Sequence, residues 1–350
     1  MALGLSACSS APKPQESAEN TVKMAAILPL SGSRAADAHM LRRGMEIALE
    51  EINERALKSG QPKAELKYAD TKSSSENIEE LVELVQKSGA SVIHAGFTDD
   101  IAFGVKKLGE RPDTLVNFLC DYPPAAVQIK NALRIYPNGA QICELMAGAA
   151  SQKAERYGDK KILILAPDTL AGASCSAYLK FETGSSNYKM FSETFKEGEQ
   201  NFELLAEQLK SIKPDYILAY SSGDSALHIL SALEKAGYRG VFATNETFAK
   251  FELKSTADIS VFEVESAFSR GDTGSAFREK FKSKFNSEPN FAAAFAYDAV
   301  WTAYEAMAAA KGDAKLARES LLGKSLKGAA GEIKIDMLGD ATSALTLTRK

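Results

Sequence analysis

The chain is poor in the residues that build covalent frameworks, metal sites and nucleophilic centres. Its 350 residues include four cysteines, three histidines and one tryptophan. No CxxC pair or Cys/His metal spacing occurs, which excludes a structural zinc site, and His39, His94 and His228 stand alone as surface or packing residues. There is no Gly-x-Ser-x-Gly elbow, His-Glu-x-x-His helix or Gly-x-Gly-x-x-Gly turn. Gly323-Lys324-Ser325 echoes a phosphate loop, but Arg318 stands where its leading glycine is required, and the segment follows a predicted helix rather than a strand. Cys175, in Ala-Ser-Cys-Ser, has no base visible beside it and reads as buried or paired. No cofactor and no catalysis are expected from this inventory. Charge is equally unassertive: Lys+Arg 42 against Asp+Glu 46 gives −4, with no basic patch, so nucleic acid is not expected as a partner.

What is present is an ordinary globular composition, 45% apolar and 25% charged, in a chain too long for one typical core. Two domains are therefore expected. The organising stretch is Val22–Ser33. A run of apolar residues from Met24 to Leu30 is cut off by Pro29 and the small polar group Ser31-Gly32-Ser33. An amphipathic segment then runs to Asn53, with Leu41, Gly44, Met45, Ala48 and Ile52 at helical spacing. A short apolar strand without alternation belongs in a parallel sheet buried on both faces. Strand, Ser/Gly turn and long helix make the first half of a βαβ unit, and ligands bind beyond the carboxyl ends of such strands. Ser33 is thus either the first wall of a pocket or simply part of a helix cap.

Before this unit, Leu5-Ser6-Ala7-Cys8 resembles the bacterial lipobox, which would place a lipid on Cys8. Met1–Leu5 is too short for a signal peptide and lacks its positive start. Ser9–Asn20 has the polar, Pro-containing composition of a flexible tether. Two or three acyl chains, at about 0.8 kcal/mol per buried CH₂, would hold such a protein durably to a membrane. The remaining thiols, Cys120, Cys143 and Cys175, are odd in number, so at most one disulfide forms among them.

After the opening unit the alternation continues. Strands are predicted over 64–70, 91–96 and 114–119, with helices over 76–87 and 101–109 and a crossing segment at 133–139. A second series follows, with helices over 141–157, 170–182, 202–213 and 225–237 between strands at 161–166, 188–195, 215–220 and 240–244. Phe262–Ser269 then leads into helices over 276–285 and 291–311, a short helix over 315–322 and a strand pair at 332–337 and 343–348. Phe291–Ala310 is apolar enough to raise a membrane span, but Asp298 and Glu305 mark it as an Ala-rich core helix. No internal repeat is visible. Repeated strand-then-helix order predicts an α/β protein with two doubly wound parallel-sheet lobes.

These stretches resemble the type I periplasmic solute-binding proteins, specifically the branched-chain amino acid and amide-binding family. The resemblance is carried by Ala25–Gly32 with Arg43–Asn53, by Tyr68-Ala-Asp-Thr71, by Phe291–Val300 and by Gly328–Asp340. It implies two lobes joined by three crossings, near Ile135, Ala267 and Leu326. Residues 1–20 would be lipobox and tether, 21–135 plus 267–327 the first lobe, and 136–266 plus 328–350 the second. Ligand would sit between the lobes and be clamped by hinge closure.

The family's binding positions map unevenly. Its hydroxyl after the third strand falls at Thr98, beside Phe97. Its Ser-Pro-x-Ala-Thr turn, which brackets an α-carboxylate, here reads Cys120-Asp121-Tyr122-Pro123-Pro124, with a carboxylate where a donor is wanted. Ala171-Gly172 stands where the family often has an aromatic before glycine. The acidic residue that holds an ammonium aligns with Glu246, and Ser221, Ser222 and Asp224 occupy the neighbouring turn. Asp121, Asp224 and Glu246 are acceptors suited to amines or hydroxyl-rich groups, or they cap the helices that follow. Phe97 and Tyr122 could stack on a ring or pack under their loops. The resemblance thus implies an extracytoplasmic, lipid-anchored receptor that delivers a small polar molecule to an ABC permease, the ligand not being a simple branched-chain amino acid. Alternatives are a regulatory lipoprotein using the scaffold as a protein-binding module, and a sensor domain reporting to a membrane partner.

Overall fold

Residues 21–96, 98–121, 129–151, 160–184, 188–221, 224–247 and 252–350 are described by a computed structural model. Cys8 with its tether, Phe97, Tyr122 and Ser222 lie outside the described residues. The apolar opening run forms β1 (Thr21–Leu28), buried from Met24 onward, and the amphipathic segment forms α1 (Ala35–Ser59). All five expected apolar-face positions of α1, Leu41 to Ile52, are buried. The chain continues through β2 (Lys63–Asp70), α2 (Ile78–Lys87), β3 (Val92–Ala95), α3 (Asp99–Gly104), β4 (Leu115–Phe118) and β5 (Ala132–Arg134). These five strands pair in the order β2-β1-β3-β4-β5, all parallel. Ala132–Arg134 therefore does more than cross between lobes: it completes the first sheet before the chain leaves it.

The second series is α4 (Gly139–Ser151), β6 (Lys160–Pro167), α5 (Leu170–Thr183), β7 (Tyr188–Phe195), α6 (Glu203–Ile212), β8 (Tyr216–Ala219), α7 (Ser225–Lys235), β9 (Gly240–Thr244) and β10 (Ile259–Ser266). Its strands pair in the order β10-β9-β8-β6-β7, again parallel. Each sheet is covered on both faces by apolar layers, which is the doubly wound arrangement. A disulfide between Cys143 and Cys175 ties α4 to α5, and Cys120 is buried and stands outside it.

The chain then returns to the first lobe as α8 (Ser275–Phe285), α9 (Phe291–Ala309) and α10 (Ala314–Leu321). α9 lies against α1 so closely that a Cβ on Gly44 would sit 2.0 Å from the Ala293 carbonyl oxygen, so only glycine fits there. This contact and the burial of Phe291–Ala296 make α9 a core helix, and no helix among the described residues is long and apolar enough to cross a membrane.

The closing strands differ from expectation. β11 (Ser325–Gly328), β12 (Gly331–Ile335) and β13 (Ala341–Ser343) form a small antiparallel sheet, while β14 (Leu345–Arg349) pairs antiparallel with β10 at the edge of the second sheet. The two expected partners, 332–337 and 343–348, are therefore not a hairpin. Ile333, Ile335 and Ala341 pack into the core of the first lobe, so residues 328–341, expected in the second lobe, lie against the first. The third crossing falls at Ala344 rather than near Leu326. Its backbone is joined to the second crossing, Ala267 N–H donating to the Ala344 carbonyl at 2.9 Å. The first is joined to the same region through Arg134, which is wholly buried, ion-paired with Asp340 at 2.7 Å and hydrogen-bonded to the Cys120 carbonyl. The three passages are thereby held as one unit.

Candidate functional site

In a sheet of order 2-1-3-4-5 the chain reverses direction between the first and third strands, and a crevice opens beyond their carboxyl ends. The first sheet has this point at β1/β3, and the second at β6/β8. The two crevices face each other across a cavity of about 760 Å³. Its walls come chiefly from loops that follow β1 to β5 on one side and β6, β7, β8 and β9 on the other. Ser33, Thr98, Asp121, Asp224 and Glu246 all line it, so five of the eight residues anticipated from sequence meet in one space.

The first wall is built by hydrogen bonds to the acidic turn after β2. Asp70 accepts from the Ser31 amide at 3.1 Å and the Ser31 hydroxyl at 2.7 Å, and also from the Lys72 amide. Burial opposes its charge, but these donors outweigh it and hold the carboxyl below its ordinary range. The Ser73 hydroxyl donates to the Ser31 carbonyl and accepts from the Arg34 amide. α1 accordingly begins after Arg34 with no side-chain cap, and Ser33 is left exposed at the cavity. Its capping alternative does not hold.

Side-chain contacts bridge the lobes across the cavity. Arg34, after β1, pairs with Glu197, after β7, at 2.6 Å. Tyr220, at the end of β8, donates its hydroxyl to Asp121, after β4. Burial pushes the Asp121 carboxyl up, against the Tyr220 hydrogen bond and the charges of Arg134 and Arg34. Asp37, on the first turn of α1, is likewise raised by burial; Arg34 opposes this, whereas Asp224 and Glu197 add to it. Asp224 occupies the cap position of α7 but makes no side-chain cap bond, so its carboxylate is exposed to the cavity.

Glu246 differs from these. It is buried, accepts from the Ser266 amide at 3.2 Å and the Ser266 hydroxyl at 3.0 Å, and its pKa is pushed up to about 8 chiefly by burial. Ser266 ends β10 at the second crossing, so Glu246 joins the floor of the cavity to the hinge. Its neighbour Asn245 fastens β9 to β8, accepting from the Ser221 amide at 2.7 Å and donating to the Ser221 carbonyl at 2.9 Å.

Arg34, Asp37, Tyr136, Glu197 and Tyr220 were not anticipated, although each lines the cavity. A signal existed for most of them: Arg34 and Asp37 follow the Ser31–Ser33 turn, Tyr220 ends a predicted strand, and Glu197 lies two residues past another. Among the described residues no group of three or more His, Cys, Asp or Glu side chains is placed to hold a metal ion.

Two hinged, doubly wound lobes around a cavity of strand-end loops define the class of periplasmic binding folds of type I. A family model described as periplasmic binding protein matches residues 21–344, and the chain belongs to that family, a solute-binding scaffold. Among solved structures it is similar to the leucine binding protein LivK of Thermotoga maritima, with a TM-score of 0.79 and 19% identity over 94% of this chain and 97% of that one. A solute binding protein of an ABC transporter from Rhodopseudomonas palustris, in complex with 3,4-dihydroxybenzoic acid, gives 0.78 and 17% over 94% and 93%. LivJ of Streptococcus pneumoniae, in complex with isoleucine, gives 0.77 and 18% over 94% and 100%. No curated protein matches by sequence.

Proposed function

We propose that the protein is an extracytoplasmic receptor that captures a small polar molecule between its lobes and delivers it to an ABC importer, anchored by lipid at Cys8. In this reading it binds and does not catalyse. The lobes would comprise 21–135 with 267–343 and 136–266 with 345–350. The observation that carries the proposal is the cavity of about 760 Å³, whose polar side chains come from the carboxyl ends of strands in both sheets. The neighbours' leucine, isoleucine and dihydroxybenzoate are small solutes of the kind such a volume takes. Asp121 stands where the family's amino-acid binders bracket a carboxylate, which argues against a simple branched-chain amino acid. The Cys143–Cys175 disulfide suits an oxidising compartment.

A thermal-shift panel of amino acids, amides, polyamines, purines and aromatic acids tests this. A ligand of the native state at a hundredfold excess over Kd adds about 2.7 kcal/mol of stability and must raise Tm. Silence across the panel would overturn solute capture in favour of a protein-binding module on the same scaffold.

A further inference from the structure

We propose that the ligand is a small organic cation with separated ammonium groups and no carboxylate, of the diamine or polyamine kind. The inference rests on the solute-receptor reading above and narrows it. Among the described residues, eight carboxylic acids line the cavity against a single guanidinium, that of Arg34, and one histidine, His228, and no lysine lines it. Arg34 is already engaged by Glu197 at 2.6 Å and by Asp37 at 3.7 Å. Among the described residues, a ligand carboxylate entering here would find the one guanidinium already engaged and would face acids on both walls.

The acids are distributed in a way that selects among cations. They do not converge into a metal-holding group among the described residues, so the cavity does not resemble a cage for a compact ion. Asp121 lies on the first lobe beside Tyr220, whereas Asp37 on the first lobe and Asp224 and Glu197 on the second form a like-charged set across the gap. Closing the lobes brings that set together, and a flexible chain with ammonium groups at its ends would relieve the repulsion at more than one place. Tyr136 and Phe291 also line the cavity, their ring centroids 6.2 Å apart. They give methylene groups an apolar wall, and aromatic faces attract ammonium groups. Ammonium groups are donors only, matching a lining rich in acceptors.

The test is titration calorimetry on the full chain with putrescine, spermidine, leucine and 3,4-dihydroxybenzoate, at about 20 mM and about 200 mM salt. The expected result is binding of spermidine or putrescine, weakened at the higher salt, with no heat from leucine or the benzoate. Asp224→Asn should weaken amine binding about tenfold. Asp224 is exposed and makes no cap bond, so this variant should keep the wild-type melting temperature in the absence of ligand. Binding of leucine or dihydroxybenzoate with no amine binding would overturn the cation and leave the receptor standing. Amine binding indifferent to salt and to Asp224→Asn would overturn the site. Failure of all four probes, and of the wider panel, would overturn both readings.

Discussion

Glu246 and His94 are buried ionisable side chains with opposite consequences for stability against pH. His94 is fully buried, has among the described residues only a 3.4 Å contact to the Asn117 side-chain amide, and is held down to about 3 by burial. The unfolded chain takes up a proton near 6.5 that the native state refuses, so stability falls as pH drops from 6.5 towards 3. Glu246, pushed up to about 8, keeps a proton that the unfolded chain releases near 4.5. Its contribution is full below 4.5 and is lost as pH rises towards 8. Asp298, raised to about 7 by burial although it accepts from the Ala329 and Ala330 amides, acts in the same direction. Urea unfolding across pH should show both limbs, each group contributing up to about 1.4 kcal/mol per pH unit. His94→Gln should flatten the acid limb and Glu246→Gln should shallow the alkaline one; unchanged profiles would refute the assignment.

The Arg134–Asp340 pair is a second residue-scale device, because Arg134 is wholly buried and cannot reach water if its partner is removed. Asp340→Ala should cost about 3–5 kcal/mol in urea unfolding, the penalty of stranding a buried charge. A loss below about 1 kcal/mol would show that the guanidinium finds another partner or water.

At the scale of elements, the second lobe carries a constraint that the first lacks among the described residues. The Cys143–Cys175 bond closes a span of 32 residues between α4 and α5. Loop-closure entropy gives such a crosslink about 3–4 kcal/mol. The Cys143→Ala/Cys175→Ala double variant should unfold at correspondingly lower urea, and a reducing agent should reproduce the effect in the native protein. An equal midpoint with and without reductant would contradict it. That one pair forms and Cys120 stays outside it agrees with the odd count of three. Which two pair was decided by α4 and α5 packing side by side.

At the scale of the whole molecule, the lobes are bridged by Arg34–Glu197 and by Tyr220–Asp121. Glu197 is 40% exposed, so its ion pair is worth no more than about 1 kcal/mol. Glu197→Gln should therefore shift the ligand-free protein towards an open form by no more than about fivefold. Small-angle scattering would read this as a larger radius of gyration that a bound ligand restores. A variant as compact as the wild type without ligand would show that the bridge plays no part in closure.

Much of this architecture was legible in the chain itself. Apolar runs ended by Gly, Ser or Pro predicted most strands of both sheets, and the spacing of Leu41 to Ile52 marked the buried face of α1. The strand-end rule led to the Ser31–Ser33 turn, because a parallel strand's carboxyl end must open onto its crevice, whereas Thr98, Asp121, Asp224 and Glu246 came from the family resemblance. Pairing and partnership were not legible. Alternation reveals that 332–337 and 343–348 are extended but carries no information on which edge each one joins, so β12 and β14 fell to different sheets. The partners of Arg34 and Asp121 stand 163 and 99 residues away in sequence, and no local pattern specifies a contact made only when two lobes meet. Secondary structure follows from short-range periodicity, whereas the charge balance of the cleft is a sum over loops that only the folded chain brings within reach of one another.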